Sequence, residues 1–311
     1  MAPLTIWCNL DLPEEAVAEL RRGTEGHRVI LGSEAPDDAD VAFGQPPPDS
    51  ALALPSLRWI GVTSAGYTRY DTPGFRESLH ARDAVLSNSS SVFDEPCAQH
   101  LLAMMLAFAR QLPEALRDQF GERRWPADRI RSESWLLQDQ TVVIVGYGAI
   151  ARRFIELAAP FGLRIMALRR HVRGDELVPT YPIEELGRLL GEADHLANIL
   201  PANASTDGLL DADRFAATKP GACFYNIGRG TTVDQNALIA ALESGQLSAA
   251  FLDVTDPEPL PSEHPLWSAP NCFITPHSAG GHRGEWSRLV RHFLQNLRRF
   301  ESGEELKDRV I

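Results

Sequence analysis

Three polar residues in the later part of the sequence each follow a short apolar run that reads as a strand. They are Arg229 in Asn226-Ile227-Gly228-Arg229-Gly230, Glu258 in Asp253-Val254-Thr255-Asp256-Pro257-Glu258, and His277 in Thr275-Pro276-His277-Ser278-Ala279-Gly280. The planar fork of an arginine binds a carboxylate and polarises a neighbouring carbonyl. An imidazole, with an ordinary pKa of roughly 6.5, gives up a proton near neutrality as a general acid must. A carboxylate paired with that imidazole orients it and favours its protonated form, raising its pKa. Anchor, polariser and proton donor are what reduction of a carbonyl beside a carboxylate needs, once a hydride donor is present. His195 and His264, outside such a set, read as structural histidines.

A site for the hydride donor stands earlier in the chain. Thr141-Val142-Val143-Ile144-Val145 is a buried strand, Gly146-Tyr147-Gly148-Ala149-Ile150-Ala151 follows, and an amphipathic helix continues with Ile150, Phe154, Leu157 and Phe161 on one face. Strand, glycine turn and helix are the context of a dinucleotide-binding motif: Gly146 for the tight turn, Gly148 for close approach of a pyrophosphate to the helix N-terminus, Ala151 for close packing. About twenty residues on, where NAD-binding chains place an acid on the ribose, this chain has Arg169-Arg170. Two arginines suit the 2′-phosphate of NADP(H), so NADP(H) is expected to be preferred, with NAD(H) as second choice. Asp234, after the arginine motif, reads as a helix cap.

The elements that must position these groups alternate along the whole chain. Strand-like runs at Leu4–Cys8, 28–31, 40–43, 59–62 and 84–87 interleave with helical patterns, and more follow at 141–145, 163–168, 195–200, 222–227, 249–254 and 272–275. That alternation predicts parallel sheets covered by helices. An apolar helix is expected from Asp94-Glu95-Pro96 through Ala109, with Pro96 in its first turn, and a final helix from Glu285 to Phe300. A length of 311 residues suits two domains. The net charge of −12 argues against nucleic acid or an anionic membrane surface as partner. No secretory signal or spanning stretch is visible, and Cys8, Cys97, Cys223 and Cys272 show no metal or disulfide spacing, so a cytoplasmic protein is expected.

Taken together, the glycine motif and the segments around Arg229, Glu258 and His277 resemble the D-isomer-specific 2-hydroxyacid dehydrogenase family, in order and spacing over essentially the whole chain. Asn88 through His100 resembles the family's lead into its connecting helix, and Ser64-Ala65-Gly66 its substrate-carboxylate loop. The resemblance implies an α/β fold of two Rossmann-like, doubly wound parallel sheets with a cleft between them. One is a flavodoxin-like substrate domain of residues 1–100 and 277–311; the other is an NADP-binding Rossmann domain of 101–276. It implies Arg229, Glu258 and His277 as catalytic, and Ser64, Ala65 and Gly66 with Arg229 and His277 as substrate-binding. It further implies Gly146, Gly148, Ala149, Ile150, Arg169, Arg170, Leu200, Pro201, Ile227, Asp253, Ala279 and Gly280 as cofactor-binding, with Asp253 on the nicotinamide carboxamide, no metal, and a homodimer.

The chain departs from the family pattern at Gln99, where many members have Glu, and at Gly281-His282, where a threonine is common nearby. Glu258 disfavours formate oxidation, which uses Gln there, and a chain ending at Ile311 weakens an assignment to serine biosynthesis. The expected activity is NADPH-dependent reduction of glyoxylate or hydroxypyruvate. Two alternatives stand beside it: an NAD-dependent dehydrogenase acting on a larger D-2-hydroxy acid, and a non-catalytic, dinucleotide-sensing corepressor-like protein.

Overall fold

The computed structural model describes residues 2–311; Met1, where the first domain was expected to start, lies outside them. The chain divides into two compact units, one running up to Phe93 and resuming at Gly281–Ile311, the other spanning Asp94–Gly280.

In the first unit β1 (Thr5–Cys8), β2 (Arg28–Leu31), β3 (Val41–Gly44), β4 (Trp59–Val62) and β5 (Val85–Ser87) form a parallel sheet in the order β2-β1-β3-β4-β5. This is the flavodoxin-like order. β1, β3 and β4 are buried throughout, which is why they read as continuous apolar runs instead of alternating ones. The closing helix Glu285–Ser302 lays Val290, Phe293, Leu294 and Leu297 against the sheet. There the Phe293 ring stacks 4.2 Å from Phe43 and 5.0 Å from Trp59.

In the second unit β6 (Thr141–Val145), β7 (Arg164–Arg169), β8 (Thr180–Pro182), β9 (His195–Asn198), β10 (Ala222–Asn226), β11 (Leu247–Leu252) and β12 (Cys272–Ile274) are ordered β12-β11-β10-β9-β6-β7-β8, all parallel. The order reverses between β6 and β9, the switch point outside which open α/β sheets bind their ligands. Both sheets are therefore doubly wound, as the alternation of strand and helix patterns predicts.

Two details correct the sequence reading. The connecting helix begins at Ser90, not near Asp94, so Pro96 lies inside it. The early start is secured by side chains that accept from its first amides: Asn88 Oδ1 from Ser90 N at 3.2 Å and Asp308 Oδ2 from Ser91 N at 3.0 Å. These caps offset the backbone bond that the proline cannot make. The short β8, ending in a proline, lacks the apolar run that marks a strand in sequence; it extends the sheet edge, where proline is tolerated.

Candidate active site

The side chains of Arg229, Glu258 and His277 all follow the C-terminal ends of neighbouring strands, β10, β11 and β12, in the second unit. His277 Nδ1 lies 2.7 Å from Glu258 Oε2. The other oxygen of Glu258 accepts from the amide of Thr255 at 3.0 Å, so the carboxylate is fixed at both ends. With Nδ1 engaged by Glu258, Nε2 is the ring nitrogen outside the pair. Both side chains are partly open to solvent, at 51% and 37%.

Arg229 is carried by a loop whose shape is set from beneath. Asn226 Nδ2 and Thr232 Oγ1 donate to the Arg229 carbonyl at 3.1 and 2.6 Å, while Asn198 Nδ2 bridges Asn226 Oδ1 and Thr232 Oγ1 at 3.0 and 2.7 Å. These three polar residues are fully buried, and a buried network of this kind is stable only when its members are satisfied. Gly230 sits so close to the Thr255 backbone that a Cβ there would collide with the Thr255 carbonyl group. The arginine loop thus packs directly on the segment whose amide orients Glu258.

Asp253, 3% exposed, does more than cap a strand. Its carboxylate accepts from Thr275 Oγ1 at 2.6 Å and from the amides of Ser278 and Ala279 at 2.8 to 3.1 Å, tying down the turn that bears His277. His100, 3.1 Å from Thr275 Oγ1, joins this set. Burial lowers the His100 pKa, with the charge of Asp253 opposing the shift. His100 and Thr275 stand in segments that the sequence motifs include, but their contact with each other and with Asp253 depends on residues far apart in the chain. Cys97 is nearby in charge terms, but burial pushes its thiol up to about 12, so it is not a nucleophile.

At the switch point, Gly146 adopts a φ of +108° and its hydrogen faces the Ile199 carbonyl, 3.1 Å from where a Cβ would sit. Only glycine accepts both constraints. Gly148 is exposed, with no atom within 4 Å of an added Cβ, and precedes the helix Ala149–Ala158. No side chain among the described residues caps that helix, so its first amides remain available to an anion. Ala151 is fully buried beneath it. These residues fit a dinucleotide pyrophosphate. Ala149 and Ile150 open the helix, Leu200 and Pro201 follow β9, and Ile227 follows β10. Ala279 and Gly280 close the turn held by Asp253.

Arg169 and Arg170 differ in their surroundings. Arg169 stands 5.4 Å above the Tyr147 ring and bonds Glu176 Oε1 at 2.7 Å. Glu176 is held down to about 2, first by the Arg173 amide and then by the Arg169 side chain and the Gly174 amide. Arg170 is exposed and donates to Ser205 Oγ at 3.0 Å. The Arg169–Glu176 pair was not legible in the sequence, since the acid lies in an irregular loop.

In the first unit, Ser64-Ala65-Gly66 follows β4. Ser64 Oγ donates to the Gly66 carbonyl at 2.6 Å and accepts from Gln45 Nε2 at 3.0 Å, and Asn88 Nδ2 donates to the Ala65 carbonyl at 2.7 Å. Gln45 also accepts from Arg69 at 2.6 Å. Gln45 and Arg69 lie outside the sequence motif of this loop and reach it only through the fold. Of the remaining histidines, His195 is buried between Tyr225 Oη at 3.0 Å and Gln140 Oε1 at 2.6 Å, and burial lowers its pKa to about 4. His264 accepts from Leu266 N. Both are structural.

A doubly wound sheet with a glycine motif at its switch point is the architecture of a dinucleotide-binding α/β protein, and the His277–Glu258 pair stands at the strand ends of that sheet. Residues 102–279 match the model of the D-isomer specific 2-hydroxyacid dehydrogenase, NAD binding domain. A glyoxylate/hydroxypyruvate reductase B of Escherichia fergusonii is 37% identical over 239 residues, covering 74% of this chain and 71% of that protein. An uncharacterised protein of Corynebacterium melassecola is 36% identical over 182 residues, covering 58% of this chain and 59% of its own length. The crystal structure of an NADPH-dependent glyoxylate/hydroxypyruvate reductase from Sinorhizobium meliloti, in complex with NADP and sulfate, superposes with a TM-score of 0.83 at 27% identity, covering 99% of this chain and 98% of that one. The chain belongs to the D-isomer specific 2-hydroxyacid dehydrogenase family. It is accordingly an oxidoreductase with an NAD(P)-binding domain.

Proposed function

We propose that the protein reduces a small 2-keto acid, glyoxylate or hydroxypyruvate, with NADPH. The observation that carries this reading is the His277–Glu258 pair at 2.7 Å on the strand ends that also carry Arg229. Bound NADPH would supply the hydride to the carbonyl carbon. Arg229 binds the carboxylate and polarises the carbonyl, and His277 gives its Nε2 proton to the carbonyl oxygen while Glu258 holds Nδ1–H. The Ser64, Ala65 and Gly66 loop is assigned to the substrate carboxylate.

The cofactor is assigned to Gly146, Gly148, Ala149, Ile150, Leu200, Pro201, Ile227, Asp253, Ala279 and Gly280. Arg169 and Arg170 are assigned to its 2′-phosphate, and they, with no acid at the end of β7, support NADPH over NADH. The named relatives, a glyoxylate/hydroxypyruvate reductase and an NADPH-dependent one in complex with NADP, support the same substrate and cofactor. NADH serves as the weaker alternative. Steady-state rates with both keto acids and both cofactors test the reading, and absence of turnover with either acid would overturn it.

The residues up to 100 with those from 277 are taken as the substrate domain and 101–276 as the cofactor domain. A homodimer is supported by exposed apolar side chains concentrated between Leu112 and Leu136, namely Leu112, Leu116, Phe120, Trp125 and Leu136. Light scattering on the eluting protein tests it, a monomer mass contradicting it. No helix among the described residues is long and apolar enough to cross a membrane, and the cysteines described are free, which supports a cytoplasmic setting.

A further inference from the structure

His277 has a φ of +49°, in the left-handed region that non-glycine residues adopt only when tertiary contacts hold them there. The holding contacts converge on Asp253. Its carbonyl accepts from the His277 amide at 2.8 Å, and its carboxylate accepts from the next two amides, those of Ser278 and Ala279. The carboxylate is fixed in turn by Thr275 Oγ1 at 2.6 Å, and Thr275 Oγ1 lies 3.1 Å from His100 Nε2.

The proton positions in this chain follow from valence. An ionised carboxylate only accepts, so the Thr275 hydroxyl donates to Asp253, and its oxygen then accepts from His100, which must carry a proton on Nε2. Burial lowers the pKa of that ring, with the charge of Asp253 opposing the shift. A directed relay, His100 to Thr275 to Asp253, therefore ends on the turn that presents the acid. Neither His100 nor Thr275 has a place in the proton and hydride steps, so their polar contact is unexplained by those steps.

We propose that His100 and Thr275 are positioning residues that act through Asp253 to hold the left-handed turn at His277, and so set the aim of its imidazole. The inference rests on the reading of His277 as the general acid. It gives Asp253 a role through the protein backbone in addition to any contact with the cofactor carboxamide.

The test compares Thr275→Val and His100→Leu with Thr275→Ser and His100→Gln, which keep a hydroxyl and an N–H donor, and with the Thr275→Val/His100→Leu double variant, all in the full chain. Misaiming the acid should lower kcat about tenfold in the valine and leucine variants. The keto-acid KM should stay within about twofold, because the Arg229 side chain is untouched, while NADPH affinity, to which Asp253 and Ala279 are assigned, should fall by less than kcat does. The serine and glutamine variants should retain wild-type kcat, and the double variant should lose no more than the worse single, as members of one relay do. Amide exchange gives a readout without turnover: Ser278 and Ala279 should exchange about tenfold faster in Thr275→Val, while β6 and β10 keep their protection. Wild-type kcat together with wild-type exchange in the valine and leucine variants overturns the proposal. So does a loss of kcat that tracks melting temperature and cofactor affinity, which would mark a merely structural role. A wild-type protein without turnover would instead remove the acid assignment of His277, leaving the exchange measurement to decide the relay.

Discussion

Glu258 bridges two segments, accepting from His277 Nδ1 at 2.7 Å through one oxygen and from the Thr255 amide at 3.0 Å through the other. Because Gly230 packs on Thr255, the same segment supports the loop that carries Arg229. Arg229 and His277 are therefore mechanically linked through one stretch of backbone. Glu258→Gln keeps the shape but replaces the charge-assisted hydrogen bond that orients the imidazole with a neutral one. A fall in kcat of roughly 10- to 100-fold, with cofactor affinity unchanged, is the expected outcome. It is checked by steady-state kinetics beside NADPH titration.

Gly230→Ala tests the mechanical link. A methyl group there collides with the Thr255 carbonyl group, and the backbone of either loop must move. Overpacking of this kind costs about 1–3 kcal/mol, and the displaced Glu258 and Arg229 should lower kcat as well. Thermal melting and kinetics of the one variant together check both effects.

The unequal settings of the two arginines give a cofactor prediction. Arg170 is exposed and donates to the neutral Ser205, whereas Arg169 is neutralised by Glu176. Arg170→Ser should therefore raise the NADPH dissociation constant about tenfold or more, the worth of a charge-assisted phosphate bond, and leave NADH nearly unchanged. Fluorescence titration with each cofactor measures the difference.

His195 predicts acid sensitivity. Its pKa, lowered by burial from 6.5 to about 4, means that the unfolded chain binds a proton between those values while the folded chain does not. Stability is then unaffected above pH 6.5 and falls as pH drops from there toward 4, by about 3 kcal/mol at most. Urea unfolding at several pH values checks this, and the slope should flatten in His195→Gln.

Phe293→Ala removes a ring stacked between Phe43 and Trp59 in the first unit. A cost of about 3–5 kcal/mol is expected, visible as a lower urea midpoint.

Much of this was legible in the sequence. Buried strands such as Thr141–Val145 announce themselves as unbroken β-branched runs, and the glycines after them need special backbone or open space that few other residues allow. Asp234 reads as a helix cap and is one, accepting from the amides of Asn236 and Ala237. What was not legible depends on partners far along the chain. The start of the helix at Ser90 is secured by Asp308, and His100 meets Thr275 only once β12 is in place. The pairing of Arg169 with Glu176 is local in sequence, yet it depends on an irregular loop whose path has no periodicity to read. Side chains that act singly on a motif can be found from the motif; side chains that act on another side chain need the fold.

The most direct test of the central claim is the rate of NADPH oxidation with glyoxylate and with hydroxypyruvate, for the wild type and for His277→Ala. Turnover by the wild type is expected, faster with NADPH than with NADH, with a loss of roughly 100-fold or more in kcat in His277→Ala. Equal rates in the two proteins, or no oxidation of NADPH by the wild type with either acid, would contradict the claim.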